Sequence, residues 1–110
     1  MKKIAIILNY EKLEVVNSLM SVLDTIKLEE QPRHLKSTVA ICKELREKLL
    51  HKAISKRGAS KPFKIELKYY FADALCRYLE DFSIYWDTPS GSFEENVFLM
   101  LRNDLHQKLL

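Results

Sequence analysis

The aromatic residues are concentrated in one segment, and this segment constrains the fold more than any other. Eight of the eleven aromatic residues lie within residues 63–86. From Tyr70 onward the apolar residues recur at helical spacing, whereas residues 63–71 alternate apolar and polar side chains as a strand does. A single helix over residues 61–85 explains both parts with one assumption, so we predict a helix. It is apolar over most of its circumference, and neighbouring helices or a second subunit must then cover it.

Three other segments also have helical periodicity. Apolar residues recur at helical spacing over residues 10–28, over residues 33–57 and from Ser92 to the end of the chain. Pro32 favours the start of the second of these helices. Ser92, followed three residues later by a glutamate, has the sequence of a capping box and predicts the start of the last helix.

Residues 4–8, IAIIL, fit either a short strand or a buried first helical turn. We favour the helix because no clear second strand is available for pairing. With short connections and no internal repeat, the pattern predicts an all-α fold, an antiparallel four-helix bundle. We expect one domain over residues 1–110, with a short N-terminal strand or an extra helical turn as open alternatives.

Composition restricts the class of protein. Two glycines and three prolines are too few for the frequent turns of an all-β chain. Cys42 and Cys76 lie in apolar periodic segments, which favours buried thiols in a reducing compartment over a disulfide. The apolar run at residues 4–8 is too short for a signal-peptide core, and no stretch has the length of a membrane span. We expect a cytoplasmic protein with no membrane contact.

Charge is distributed unevenly along the chain. Residues 33–68 contain eleven Lys and Arg against three Asp and Glu, whereas residues 69–110 contain three against seven. This asymmetry fits attraction between neighbouring helices, and it also fits a surface for polyanions. The candidate polyanion-binding residues surround the predicted bend between the second and third helices: Lys52, Lys56, Arg57, Lys61, Lys64 and Lys68.

The same bend resembles the turn of a helix-turn-helix DNA-binding motif over residues 54–67, with GAS at residues 58–60 as the turn. Two positions depart from that motif. The family has a small residue four positions before the turn glycine, where this chain has Ile54. It has an apolar residue six positions after that glycine, where this chain has Lys64, and burying an unpaired lysine carries a large desolvation cost. We therefore interpret residues 58–60 as a hinge between two helices of the bundle.

No sequence motif indicates catalysis, a metal or a cofactor. His34, His51 and His106 are far apart, no CxxC, HxxxH or HExxH spacing occurs, and we expect all three histidines to be solvated. There is no GxSxG motif, and the two glycines are isolated from any phosphate-binding pattern. We therefore expect a protein that is not an enzyme, with no catalytic residues, no metal ligands and no cofactor.

Arg46 is an unusual residue because it falls within the apolar stripe of the second predicted helix. Its aliphatic stem can cover the core while the guanidinium reaches solvent. Alternatively, the guanidinium pairs with a carboxylate across a helix or subunit boundary. The sequence leaves both alternatives open.

The surplus of apolar helix surface predicts a module that acts through protein–protein contact or assembly, and we expect self-association into a homo-oligomer. The candidate interface consists of aromatic residues at and beyond the third helix: Tyr69, Tyr70, Tyr78, Phe82, Tyr85 and Trp86. The alternative is a small nucleic-acid-binding protein that uses the basic bend, where positive charge is sufficient for phosphate contacts.

Overall fold

The chain folds into helices packed around a small sheet, and the computed structural model describes residues 3–86 and 88–110. Over these residues there are four α-helices and a two-stranded antiparallel sheet. In chain order the elements are β1 (Lys3–Leu8), α1 (Tyr10–Leu19), α2 (Arg33–Ser55), β2 (Phe63–Lys68), α3 (Tyr69–Asp81) and α4 (Phe93–Lys108). Short 3-10 helices span Met20–Thr25, Leu28–Glu30 and Ser83–Tyr85.

The prediction of an all-α four-helix bundle is wrong, because two segments assigned to helices are strands. The run at residues 4–8 lies in β1, and the single helix predicted over residues 61–85 is divided into β2 and α3 at Tyr69. Both errors have one cause. β1 ends at Leu8 and its partner begins at Phe63, so the two strands are not joined by a local hairpin that a turn motif would reveal.

The register of the sheet explains the alternation of residues 63–68, whereas residues 69–71 already belong to α3. Ile4 lies opposite Leu67 and Ile6 lies opposite Ile65. All four side chains are buried. Because successive side chains of a strand point to opposite faces, one face of the sheet covers the core and the other faces outward. Ile7, between two core residues, is accordingly 64% exposed.

The first helix is shorter than residues 10–28. It begins after Asn9, whose side-chain Oδ1 accepts a hydrogen bond from the Lys12 backbone N–H at 2.8 Å. It ends at Leu19, whose carbonyl accepts hydrogen bonds from the Tyr78 hydroxyl at 2.6 Å and the Trp86 indole N–H at 2.8 Å. The chain continues as 3-10 helix from the next residue, so tertiary contacts replace α-helical hydrogen bonding at this point.

The predictions for the second and last helices are confirmed to within a few residues. α2 begins directly after Pro32. At the start of α4 the Ser92 hydroxyl accepts from the Glu95 backbone N–H at 3.2 Å, as in a capping box. The Glu95 carboxylate accepts in return from the Gly91 backbone N–H at 2.9 Å, one residue before the cap.

The bend after α2 joins a helix to a strand. Gly58 has φ +83, a conformation that glycine adopts without strain. Beyond it the chain enters β2, so the interpretation of residues 58–60 as a hinge between two helices is wrong. The same strand rules out a helix-turn-helix in this segment, because the position of its second helix is occupied by Phe63–Lys68.

The core is continuous from the sheet through all four helices. α3 contacts α2 and α4 and also both strands. Tyr78, near the C-terminal end of α3, is fully buried, and Leu75 and Leu79 are buried with it in the core. The sheet therefore covers part of the apolar surface of α3.

Candidate binding groove

A groove of about 290 Å³ runs between α2 and β2. Its floor is apolar, because the inward face of α2 and the inward face of β2 meet there. The floor residues are Leu45, Leu49, Ile65, Leu67 and Phe71. Above this floor the polar positions of the same elements form a rim, and we call the whole feature the lysine groove.

The rim of the lysine groove consists of Lys3, Lys48, Lys52 and Lys68, with Glu66 as its single acidic residue. Lys48 and Lys52 are one turn apart on α2 and therefore share a face. Lys3 and Lys68 lie directly opposite each other in the sheet. No carboxylate within ion-pair distance accompanies any of these four lysines in the described part of the chain, so the groove carries excess positive charge.

Two of the rim lysines lie against aromatic rings. The Lys48 ammonium is 5.7 Å from the centre of the Phe71 ring, and the Lys68 ammonium is 5.9 Å from that of Tyr70. Such contacts position the aliphatic stems along apolar surface while the charged ends stay in water. The ammonium groups thus remain available to an anionic partner.

Within residues 3–86 and 88–110, no strand pairs with the outer edge of β2. The Ala5 carbonyl accepts a hydrogen bond from the Lys108 ammonium at 2.6 Å, so the backbone of Ala5 faces away from β2. Residues opposite each other in an antiparallel pair have matching orientation. The backbone of Glu66, opposite Ala5, and that of Lys64, opposite Ile7, therefore face outward. Among the described residues no backbone hydrogen bond reaches these outward groups.

The structure brings together only two of the six basic residues predicted at the bend. Lys52 and Lys68 line the lysine groove. Lys64 pairs with Glu66 at 3.5 Å on the sheet, and the Lys56 ammonium lies 5.3 Å from the centre of the Phe63 ring. The other two, Arg57 and Lys61, are exposed residues that do not line the groove.

Arg57 is associated with the start of α1 instead. The pKa of the Tyr10 hydroxyl is raised, chiefly by its hydrogen bond with Glu14, and the nearby Arg57 guanidinium opposes that rise. The basic bend is therefore distributed over several surfaces.

Sequence reasoning missed Lys48 and Lys3. Lys48 precedes Lys52 by four residues, so helical spacing was a sufficient signal for it. No local signal was available for Lys3, because its position beside Lys68 depends on the pairing of β1 with β2.

The candidate aromatic interface is divided between core and surface. Tyr78 and Phe82 are buried, and their rings stack with centres 5.1 Å apart. Burial raises the pKa of Tyr78 above its ordinary value. Trp86 is half-buried and packs edge-on against Phe98 with ring centres 5.0 Å apart.

The other three candidate aromatics, Tyr69, Tyr70 and Tyr85, are exposed. Tyr69 and Tyr70 are at the first turn of α3, whereas Tyr85 follows its last turn. The six residues therefore do not form one continuous surface patch.

Arg46 forms an ion pair that joins two elements, which is the second of the two alternatives that the sequence left open. Its guanidinium donates to both carboxylate oxygens of Asp24, at 3.0 and 2.9 Å, and to the Asn17 carbonyl at 2.7 Å. The arginine side chain is 14% exposed. A bidentate pair of this kind fixes α2 against the 3-10 helix that follows α1.

The histidines are exposed, as expected. His106 nevertheless belongs to a group that the sequence did not reveal. Its ring lies near the Cys76 thiol and the Glu80 carboxylate, with the three potential ligand atoms all within 4.8 Å of one another. Cys76 and Glu80 are one turn apart on α3, and His106 reaches them from α4. The i,i+4 spacing of the first two was visible in the sequence, but the proximity of α4 was not.

Over the residues described, no helix combines the length and apolar composition needed to cross a bilayer. Comparison of the chain with protein-family models, with curated proteins and with solved structures finds no match.

Proposed function

We propose that this protein is an interaction module that binds an extended, acidic segment of a partner protein in the lysine groove. The observation that carries this proposal is the coincidence of three features at one place. They are an unpaired strand edge, an apolar floor and a rim of four lysines.

The edge supplies the backbone part of the recognition. A peptide that lies along β2 forms hydrogen bonds with the outward-facing groups of Lys64 and Glu66, as in other proteins that bind a peptide by adding a strand. This mode gives affinity without depending on the peptide side chains.

The floor and rim supply the sequence preference. Side chains of an added strand alternate between two faces. One face of the peptide lies over the apolar floor beside Leu45 and Leu49, and the other points toward the lysines. The preferred segment therefore alternates apolar and acidic residues.

The charge of the edge argues for a different chain as the partner. Lysines on an edge strand discourage pairing with an identical edge, because like charges are then brought together. The original reason for expecting a homo-oligomer was uncovered apolar surface on the third helix, and the sheet and helices cover much of that surface in the monomer. Self-association becomes an outcome that the experiment tests.

The experiment uses a fluorescein-labelled peptide as long as β2, with alternating valine and glutamate, and measures fluorescence anisotropy. The charge-reversal variant Lys48→Glu/Lys52→Glu should weaken binding at least about tenfold, because it replaces attraction by repulsion at the rim. The control Arg33→Glu/Lys36→Glu makes the same charge change at the other end of α2, where both residues are exposed, and should retain binding. Equal loss in the two variants would contradict the proposed site.

A second measurement tests strand addition. Amide exchange at Lys64 and Glu66 should slow when the peptide binds, whereas a peptide N-methylated at alternate residues should lose affinity because it lacks half of its donors. Unchanged exchange at both residues would exclude the strand mode.

The competing functions give distinct results in the same assays. Tighter binding of single-stranded oligo(dT) than of the peptide, with a steep loss on raising salt, would favour the nucleic-acid alternative. A dimer in sedimentation experiments that dissociates on Lys48→Glu/Lys52→Glu substitution would favour assembly of identical chains.

A further inference from the structure

A separate group of side chains lies where α3 meets the end of α4. Carboxylates are prominent there, whereas lysines dominate the groove. Cys76 is buried, whereas Glu80 and His106 are exposed. The Cys76 thiol donates a hydrogen bond to the Glu80 carboxylate, with the sulfur 3.6 Å from the oxygen. All three ligand atoms border a cavity of about 250 Å³, which Asp73, Arg77 and the last two leucines also line.

We propose that Cys76, Glu80 and His106 bind a divalent transition-metal ion of the zinc class. A thiolate, an imidazole and a carboxylate form a ligand set typical of zinc, and three protein ligands leave a fourth position for water or another ligand. In the described part of the chain this is the only group of three such residues that brings its ligand atoms together.

The distances are compatible with a metal site after small side-chain movements. Donor atoms around a tetrahedral zinc ion are about 3.5 Å apart, as its bond lengths require. The present separations of up to 4.8 Å must therefore contract by about 1 Å, a movement within the reach of exposed side chains. Glu80 and His106 are exposed, while the buried thiol provides the fixed point.

The charges around the site favour a cation once the thiol has lost its proton, because Cys76 and Glu80 then carry two negative charges. Asp73 adds a carboxylate, although it is paired with Arg77 at 3.1 Å, and Arg102 on α4 opposes a cation electrostatically. His106 is in the last turn of α4, where the helix dipole is negative and attracts positive charge. Binding replaces the thiol proton, so one metal ion enters and one proton leaves to solvent.

Bound metal would tie the end of α4 to the middle of α3. This contact is otherwise made by side-chain packing and the thiol–carboxylate hydrogen bond. The ion therefore stabilises the folded state, and the gain grows with the logarithm of its free concentration once that exceeds Kd.

Titration of the reduced protein with Co²⁺ tests the proposal. We expect saturation at one equivalent, a near-ultraviolet thiolate-to-cobalt charge-transfer band and intense visible bands of tetrahedral cobalt, all removed by excess Zn²⁺. Cys76→Ser should abolish the charge-transfer band, and His106→Ala and Glu80→Gln should each weaken binding at least about tenfold, because each removes one of three ligands.

Two variants serve as matched controls. Cys42→Ser removes the other thiol and His51→Ala removes an exposed histidine far from the site, and both should bind Co²⁺ as the parent does. His106→Ala changes an exposed side chain, so it tests the site even if Cys76→Ser fails to fold. Absence of a thiolate band in the parent, or full Co²⁺ affinity in His106→Ala, would overturn the assignment.

Discussion

The lysine groove and the Cys76–Glu80–His106 site are two polar features on one core, and the chain builds them in different ways. The groove depends on strand pairing between segments that are distant in sequence. The site depends on two residues one turn apart on α3 and one residue from the neighbouring helix. Lysines dominate the first, whereas carboxylates accompany the thiol and imidazole at the second.

The ion pairs show that attraction between neighbouring helices does not neutralise the uneven charge of the sequence. Among the described residues, four of the five ion pairs lie within a single element or turn, and only Arg46 with Asp24 joins two elements. The rim lysines are therefore not neutralised by the acidic surface of α3 and α4. The two regions remain electrostatically distinct surfaces that suit ligands of opposite charge.

The largest expected effect is a loss of stability when a buried side chain of β1 is truncated. Ile6→Ala should lower the free energy of unfolding by about 3 kcal/mol, because Ile6 is fully buried and its truncation leaves a cavity in the core. Ile7→Ala removes the same atoms from the outward face and should cost less than about 0.5 kcal/mol. Urea unfolding followed by circular dichroism measures both values. Equal losses would mean that β1 does not present alternate residues to core and solvent.

The next effect compares a charge held by the fold with a charge paired on an exposed surface. Arg46→Ala should destabilise the protein by about 2 kcal/mol, because three charge-assisted hydrogen bonds are lost. Lys27 pairs with Glu30 at 4.0 Å on an exposed surface, and Lys27→Ala should cost less than about 0.5 kcal/mol. The same urea experiment compares them. A small effect at Arg46 would mean that neither its hydrogen bonds nor its packing stabilises the fold.

A third prediction compares the thiol of the Cys76–Glu80–His106 site with the core thiol of Cys42. Burial raises the pKa of Cys42 to about 12 and, with the Glu80 carboxylate adding to the rise, that of Cys76 to about 11. Since only the thiolate reacts, Cys76 should be alkylated about tenfold faster than Cys42 in the native protein, and both should be far slower than in urea. Mass spectrometry after timed iodoacetamide treatment without added metal measures the rates. Faster labelling of Cys42 would contradict its placement in the core.

The smallest expected effect is a change in peptide affinity, and it tests which lysines belong to the groove. Lys61→Glu should change affinity for the alternating valine–glutamate peptide by less than about twofold, because Lys61 is exposed but does not line the groove and distant charges are screened. Lys52→Glu makes the same change at the rim and should weaken binding several-fold. Anisotropy titrations at physiological salt compare the two variants. Matching losses would mean that general charge governs binding.

Local rules in the sequence were sufficient for α2 and for the start of α4. Pro32 before the helix and the Ser92–Glu95 cap act within a few residues, so their effect does not depend on the rest of the fold. The same local rules failed for residues 63–71. There the strand pattern was present, but the partner strand lay at the start of the chain, at residues 3–8.

The sequence by itself determined which faces are apolar, where the basic residues are concentrated and which segments form α2 and α4, because helical periodicity and capping are local. Only the tertiary structure decided that IAIIL pairs with Phe63–Lys68, that Lys3 joins the rim beside Lys68, and that His106 meets Cys76. Strand pairing and helix packing depend on free energy gained between distant segments, and one segment alone contains no record of its partner.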